Sequence, residues 1–267
     1  MSILPKNIIE STTGNPKRLV FYSAIKSGKT SALAMLPDTL ILDFEDGSDY
    51  VSALKMKVIG ILTPKEEDEI TKATRIEENK FYLQEIVAAL KEEGKPYRRI
   101  AVDTTTGLED MLMPVSAALY RATPMGSKWG LDKDGKPLAG ANVLTLPNGA
   151  GELYHRSAFE KIIQMLEEVC DELILSGHLK EKITDVSGKE VTSKDIDLRG
   201  KLKNIACAKA DAVAYLYRKG NQVLLNFNTS EEVTCGARPE HLKNKEIVLT
   251  EMIDDKLVAY WDKVYIN

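Results

Sequence analysis

Residues 23–30 read Ser-Ala-Ile-Lys-Ser-Gly-Lys-Thr, and no other stretch of the chain constrains its fold as tightly. The octapeptide follows the apolar run Leu19-Val20-Phe21-Tyr22 and precedes Ser31-Ala32-Leu33-Ala34-Met35-Leu36, an order that reads strand, loop, helix. The phosphate-binding pattern G-x-x-x-x-G-K-[ST] requires that setting, because backbone N–H groups of the loop then face phosphate oxygens. Ser23 stands where the pattern has its first Gly, and Gly28-Lys29-Thr30 is intact. A chance Gly-Lys-Thr at a surface turn is the bland alternative, and the strand–loop–helix context speaks against it. The expected nucleotide-binding residues are Ser23, Ala24, Ile25, Lys26, Ser27, Gly28, Lys29, Thr30 and Ser31. Lys29 is expected to reach the β- and γ-phosphates and the Thr30 hydroxyl to hold Mg²⁺.

Composition narrows the class. A length of 267 residues suits one large domain, or a domain with a small appendage. Hydrophobic residues at 43% and charged residues at 28% describe a soluble globular chain with ample core. Net charge is −4 and the pI about 5.6, so any contact with nucleic acid needs a local basic strip. Cys170, Cys207 and Cys235 are scattered and never spaced C-x-x-C, which argues for reduced thiols and against a disulfide frame or zinc site. No long apolar segment opens the chain or is long enough to cross a bilayer, so a cytoplasmic protein without membrane contact is expected.

Strand-like apolar runs alternate with helical periodicity, the pattern of an α/β sheet with crossover helices. Thr39–Phe44, Arg99–Asp103 and Glu172–Ser176 read as buried strands, and Ala210–Tyr217 and Gln222–Phe227 as two further strands. Residues 60–80 are rich in Lys and Glu and read as a solvated helix or loop. Phe81, Ile86, Val87 and Leu90 share a helical face that Gly94 would end. Phe159, Ile162, Ile163, Leu166 and Val169 mark a second amphipathic helix. The expected organisation is a lead over 1–15, a core over 16–230 with an irregular insert at 121–151 and a loop at 180–199 with a hairpin-like turn at Val186-Ser187-Gly188-Lys189, and a small β-rich tail over 231–267.

Hydrolysis of a bound triphosphate needs a metal-holding carboxylate and a group that positions water. Asp103 closes the strand Ile100-Ala101-Val102-Asp103, and strand ends of a parallel sheet share the crevice of the loop, so Asp103 is the expected Mg²⁺ partner of Thr30. Glu45 ends the preceding strand and is the expected general base, with Asp43 and Asp46 as competitors. Strand alternation puts Asp43 and Glu45 on one side. His178, after Leu173-Ile174-Leu175-Ser176-Gly177, could touch the γ-phosphate or the attacking water. Lys29, Glu45 and His178 thus form the expected catalytic set.

In this order the segments Lys26–Thr30, Leu42-Asp43-Phe44-Glu45-Asp46-Gly47, Val102–Leu108, Ser176-Gly177-His178-Leu179-Lys180 and Asp197–Lys201 resemble the RecA-like ATPases. The closer resemblance is to the phage RecA-like P-loop nucleotide-binding proteins, the group that includes Sak-type single-strand annealing ATPases, and it spans roughly residues 16 to 230. Ser23 departs from the family's first loop Gly, and His178 from its usual Gln sensor. The resemblance implies a mainly parallel central sheet flanked by helices, ATP and Mg²⁺ as cofactors, and homo-oligomers, filament or ring, on single-stranded DNA. Recombination, annealing or replication in phage-infected or prophage-bearing cells would be the role, with a phage single-strand-binding or replication protein as a further partner. Arg121, Lys128, Trp129, Lys180 and Lys182 lie in the stretches that would meet DNA, where Trp129 could stack on a base. Arg218 and Lys201, with Lys203 behind them, are the cations that could complete a neighbouring subunit's site. A nucleotide-dependent loader or switch for a replication protein is the main alternative. A P-loop small-molecule kinase is weaker, because residues 180–199 contain few arginines for a lid.

Overall fold

The apolar runs become the centre of one sheet because they are buried on both faces. Every residue of β1 (Arg18–Ser23), which leads into the loop before α1 (Lys29–Ala34), is buried, as is every residue of β2 (Thr39–Asp43). The computed structural model describes residues 14–138, 140–186, 189–230 and 232–266. Most of the expected lead, the turn residues Ser187 and Gly188, and Glu231 at the expected start of the tail fall outside the described residues.

After β2 come β3 (Lys55–Gly60), α2 (Glu69–Glu77), β4 (Lys80–Tyr82) and α3 (Leu83–Glu92). The Lys- and Glu-rich stretch therefore holds a helix, with a strand at each border that the composition hides. Leu83, Ile86, Val87 and Leu90 of α3 are buried, and Gly94 ends the helix at φ 72°. Lys95 N–H donates to Leu90 O at 3.0 Å and Gly94 N–H to Lys91 O at 3.3 Å, a paired closure that needs a residue with positive φ. Next are β5 (Arg99–Asp103), α4 (Thr105–Asp110) and α5 (Met113–Arg121). The insert that follows is irregular, with two short 3-10 turns before α6 (Ala150–Glu167).

The expected loop at 180–199, with its hairpin-like turn, forms a regular β-hairpin. β6 (Glu172–Val186) leaves the sheet and pairs antiparallel with β7 (Lys189–Ile196) in unbroken register from Leu179↔Ile196 to Val186↔Lys189. Its mixed charges sit on a two-stranded ribbon, whose backbone pairing does not require an apolar face. Then follow α7 (Leu202–Ala208), β8 (Ala212–Lys219), β9 (Gln222–Asn226), β10 (Gly236–Ala237), β11 (Glu246–Ile253) and β12 (Lys256–Ala259).

The sheet is mixed, a parallel run extended on one side by antiparallel strands. Its order is β12-β11-β9-β8-β1-β6-β5-β2-β3-β4, with β10 beside β8 and β7 beside β6. From β8 to β4 the pairs are parallel; β9, β10, β11 and β12 add antiparallel pairs at one side. One face packs on α3 and α6 through Leu83, Ile86, Phe159 and Ile163. The other packs on α1 and on Leu242, Trp261, Val264 and Tyr265 from the end of the chain. Among the described residues no helix is long and apolar enough to cross a membrane.

Candidate nucleotide site

The C-terminal ends of β1, β6, β5 and β2 lie side by side and supply the site. Pairing is direct: Ser23 lies opposite His178, and Asp43 opposite Asp103. The loop from Ala24 to Gly28 leaves β1 with Lys26 at φ 59° and Gly28 at φ 100°, the latter a conformation that favours glycine. Among the described residues, no backbone N–H from Ile25 to Thr30 donates to another group. Unspent donors gathered in one concave loop are what a polyphosphate requires.

Ser23 has a specific place in this loop. Its buried hydroxyl lies 2.5 Å from Ser27 Oγ and accepts from Lys29 Nζ at 3.3 Å. A glycine could make neither contact. The Lys29 ammonium also lies 3.5 Å from His178 Nδ1. Burial pulls the Lys29 pKa down, and the nearby Asp103 and Glu45 carboxylates oppose the shift.

Asp103 receives the Thr30 hydroxyl on Oδ2 and the Ser176 hydroxyl on Oδ1, each at 2.5 Å. Burial raises its pKa, against the two hydroxyl bonds and the Lys29 charge. Thr30 and Asp103 together suit Mg²⁺, which typically takes one or two protein oxygens and completes its shell with phosphates and water. Among the described residues no cluster of His, Cys, Asp and Glu forms an all-protein metal cage.

The three acidic competitors after β2 separate cleanly. Asp43 is buried and accepts the backbone N–H groups of Glu45, Gly47 and Ser48, so its carboxylate closes the turn. Asp46 pairs with Lys57 at 2.7 Å. Glu45 alone faces the crevice. His178 Nε2 lies 2.9 and 3.0 Å from its two oxygens, and the Thr104 hydroxyl donates to Oε1. Thr104 Oγ1 in turn accepts the Gly107 N–H at 3.2 Å, which fixes the direction of its own donation. An ammonium can only donate and a carboxylate only accept, so His178 satisfies both neighbours with Nδ1 bare and Nε2 protonated.

The remaining expected residues are dispersed. Trp129 packs edge-on against Tyr120, with ring centroids 5.4 Å apart, and Lys128 beside it is exposed. Arg121 ends α5 and lines an apolar cleft with Leu62, Met113 and Leu138. Lys180 pairs with Asp197 at 2.6 Å, while Lys182 is exposed on the hairpin. Lys201 caps the start of α7, and Lys203 pairs with Asp195. Arg218, considered above for a neighbouring subunit, lies against its own loop: its Nη2 is 3.8 Å from where a Cβ on Gly28 would stand. Two contributors escaped the sequence reading, Ser176 and Gly107. Only the β5–β6 register, Val102↔Leu175, puts Ser176 beside Asp103. Gly107 approaches Glu45 so closely that a Cβ there would lie 2.8 Å from Glu45 Cγ.

No curated protein matches the chain. Residues 15–238, most of the sequence, match the model of the AAA domain, a P-loop nucleotide-binding ATPase family, and the chain belongs to that family.

Proposed function

We propose that the chain is a Mg²⁺-dependent ATP hydrolase that works as a homo-oligomer on single-stranded DNA, in phage-type recombination, annealing or replication. The convergence of Lys29, Glu45, Asp103 and His178 on one crevice is the observation that carries hydrolysis. The loop N–H groups and Lys29 bind the phosphates, and Thr30 and Asp103 hold Mg²⁺, whose charge would offset that developing on the transferred phosphoryl group. Glu45 takes the proton of the attacking water. Two donors, the Thr104 hydroxyl on Oε1 and the single His178 Nε2–H shared between both oxygens, leave lone-pair capacity on Oε2 for that proton. His178 orients Glu45 and reads the γ-phosphate when Lys29 turns toward it.

DNA binding is supported by the resemblance and by the hairpin that continues the strand of His178. The test is ATP turnover titrated with single-stranded DNA, alongside sizing with and without an ATP analogue. Stimulation and assembly support the reading; no turnover under any condition, with Glu45→Gln indistinguishable from wild type, defeats it.

A second reading, a nucleotide-dependent switch that loads a replication or single-strand-binding protein, is favoured by charge balance. The cleft of about 450 Å³ between α4 and the hairpin is lined by Thr106, Lys180, Asp195, Asp197 and Arg199 among others. Lys180 pairs with Asp197 and Arg199 with Glu152, so few cations are left over for phosphates. Slow turnover insensitive to DNA but accelerated by such a protein would select it.

A further inference from the structure

We propose that Arg218 is a nucleotide-binding cation of its own chain, holding the phosphate chain from the side of the loop opposite His178. The inference rests on the nucleotide site proposed above and assigns it a contact that the loop pattern does not contain. β8 lies parallel to β1, and the last paired residues are Tyr22 and Tyr215. β1 then turns into the loop while β8 continues, which carries Arg218 past the turn and alongside Gly28. There its guanidinium and Val223 of β9 flank the loop, 3.8 and 3.7 Å from the position of a Cβ on Gly28.

The charges around it point to an anion. Arg218 is exposed and forms no ion pair among the described residues. The acids of β11, on the far side of β9, are engaged elsewhere: Glu246 accepts the Tyr217 hydroxyl at 2.5 Å, and Glu251 the Gln222 amide at 2.8 Å. What Arg218 faces instead is a loop of unpaired N–H donors followed by Lys29, all of like sign. A planar guanidinium and a nest of N–H groups complement each other only through an anion that accepts from both, and a polyphosphate has oxygens enough. A cation held against its own loop in this way is not free to complete the site of a neighbour.

The test is nucleotide affinity with fluorescent ATP and ADP on full-length wild type, Arg218→Ala and Arg218→Lys. Arg218→Ala is expected to weaken both nucleotides about tenfold or more, the scale of a lost charge-assisted hydrogen bond. Arg218→Lys should recover part of the loss, and the melting midpoint without nucleotide should not move, since the side chain is exposed. Unchanged affinity in Arg218→Ala overturns the inference while wild-type binding preserves the nucleotide site. Absence of wild-type binding overturns both. Co-expressed, differently tagged Lys29→Ala and Arg218→Ala chains, purified through both tags, separate cis from trans action. Regained ATP turnover would mean that one chain supplies Arg218 to the other, and would overturn the proposal.

Discussion

His178 and Glu45 bridge the ends of β6 and β2 over β5, with Nε2 within 3.0 Å of both carboxylate oxygens. The pair fixes the orientation of the proposed base, and Thr104 from the intervening strand end holds it from a second side. Glu45→Gln keeps the shape and loses the proton acceptor. Turnover should fall by about 10²–10⁴, the usual worth of a general base, with nucleotide affinity retained. Single-turnover ATP hydrolysis and equilibrium binding measure the two quantities separately.

Replacing His178 tests positioning. His178→Ala leaves Glu45 tied only to Thr104, and an ångström of misplacement is worth about 10²-fold in rate. His178→Gln keeps an amide N–H that can donate to Glu45 and should retain more turnover than His178→Ala. ADP affinity should be the same in both. Equal losses in kcat for the two variants would mean that the bond to Glu45 is irrelevant to the chemistry.

Gly107 places Glu45 by having no side chain. A Cβ there would meet Glu45 Cγ at 2.8 Å and Phe44 O at 3.0 Å, and the backbone oxygen cannot step aside cheaply. Gly107→Ala is expected to lose about 1–3 kcal/mol of stability through overpacking. Its turnover should drop further than its nucleotide affinity, because the displaced group is the base and not the phosphate loop. Denaturant titration beside single-turnover kinetics reads both effects.

How far the sequence revealed this site follows from what kind of contact each residue makes. The loop, Asp103 and Glu45 announce themselves because strand ends and loop glycines have local signatures. Position at the strand end already favours Glu45 over Asp43, and the backbone adds the reason that Asp43 is engaged, since it accepts the three N–H groups of the turn. Ser176 and Gly107 act across strands and leave no local trace. Of the hairpin, only the turn at 186–189 has a local signature in the sequence; the arms on either side of it pair through their backbones, and a solvated ribbon carries no apolar period to detect. β4 is three residues long and forms one sheet edge, with β3 beside it, and half-buried residues such as Lys55, Lys57 and Lys80 are tolerated on these last two strands.

Asp103 also makes stability depend on pH. Burial raises its carboxyl above the ordinary value of 3.8. A raised folded pKa lends stability below the unfolded value and loses it as pH climbs through the folded value, because the native state then gives up a proton into a buried charge. Asp103→Asn cannot ionise and escapes that loss. The difference in melting midpoint, variant minus wild type, is expected to grow more positive from acid to neutral pH, while Mg²⁺-dependent ATP turnover disappears. A difference that is flat or shrinks over that range would show that burial of this carboxylate carries no such penalty.

The end of the chain braces the loop from below. Trp261 is buried, and its indole Nε1–H donates to Ala32 O at 2.8 Å, on the helix that begins with Lys29 and Thr30. Leu33 and Leu36 share its cluster, together with Val264 and Tyr265. A helix as short as α1 has little stability of its own, so packing must hold it. Trp261→Ala should cost about 3–5 kcal/mol, the range for emptying a large aromatic site. Trp261→Phe keeps most of the volume but leaves the Ala32 carbonyl without this donor, and should cost about 1–3 kcal/mol. Because the cluster supports the helix carrying Lys29, the Phe variant should also weaken nucleotide binding more than an equally destabilising change in the opposite core, such as Ile163→Val in α6. Matched urea titrations and nucleotide affinities check this; equal affinities at equal stability would detach the end of the chain from the site.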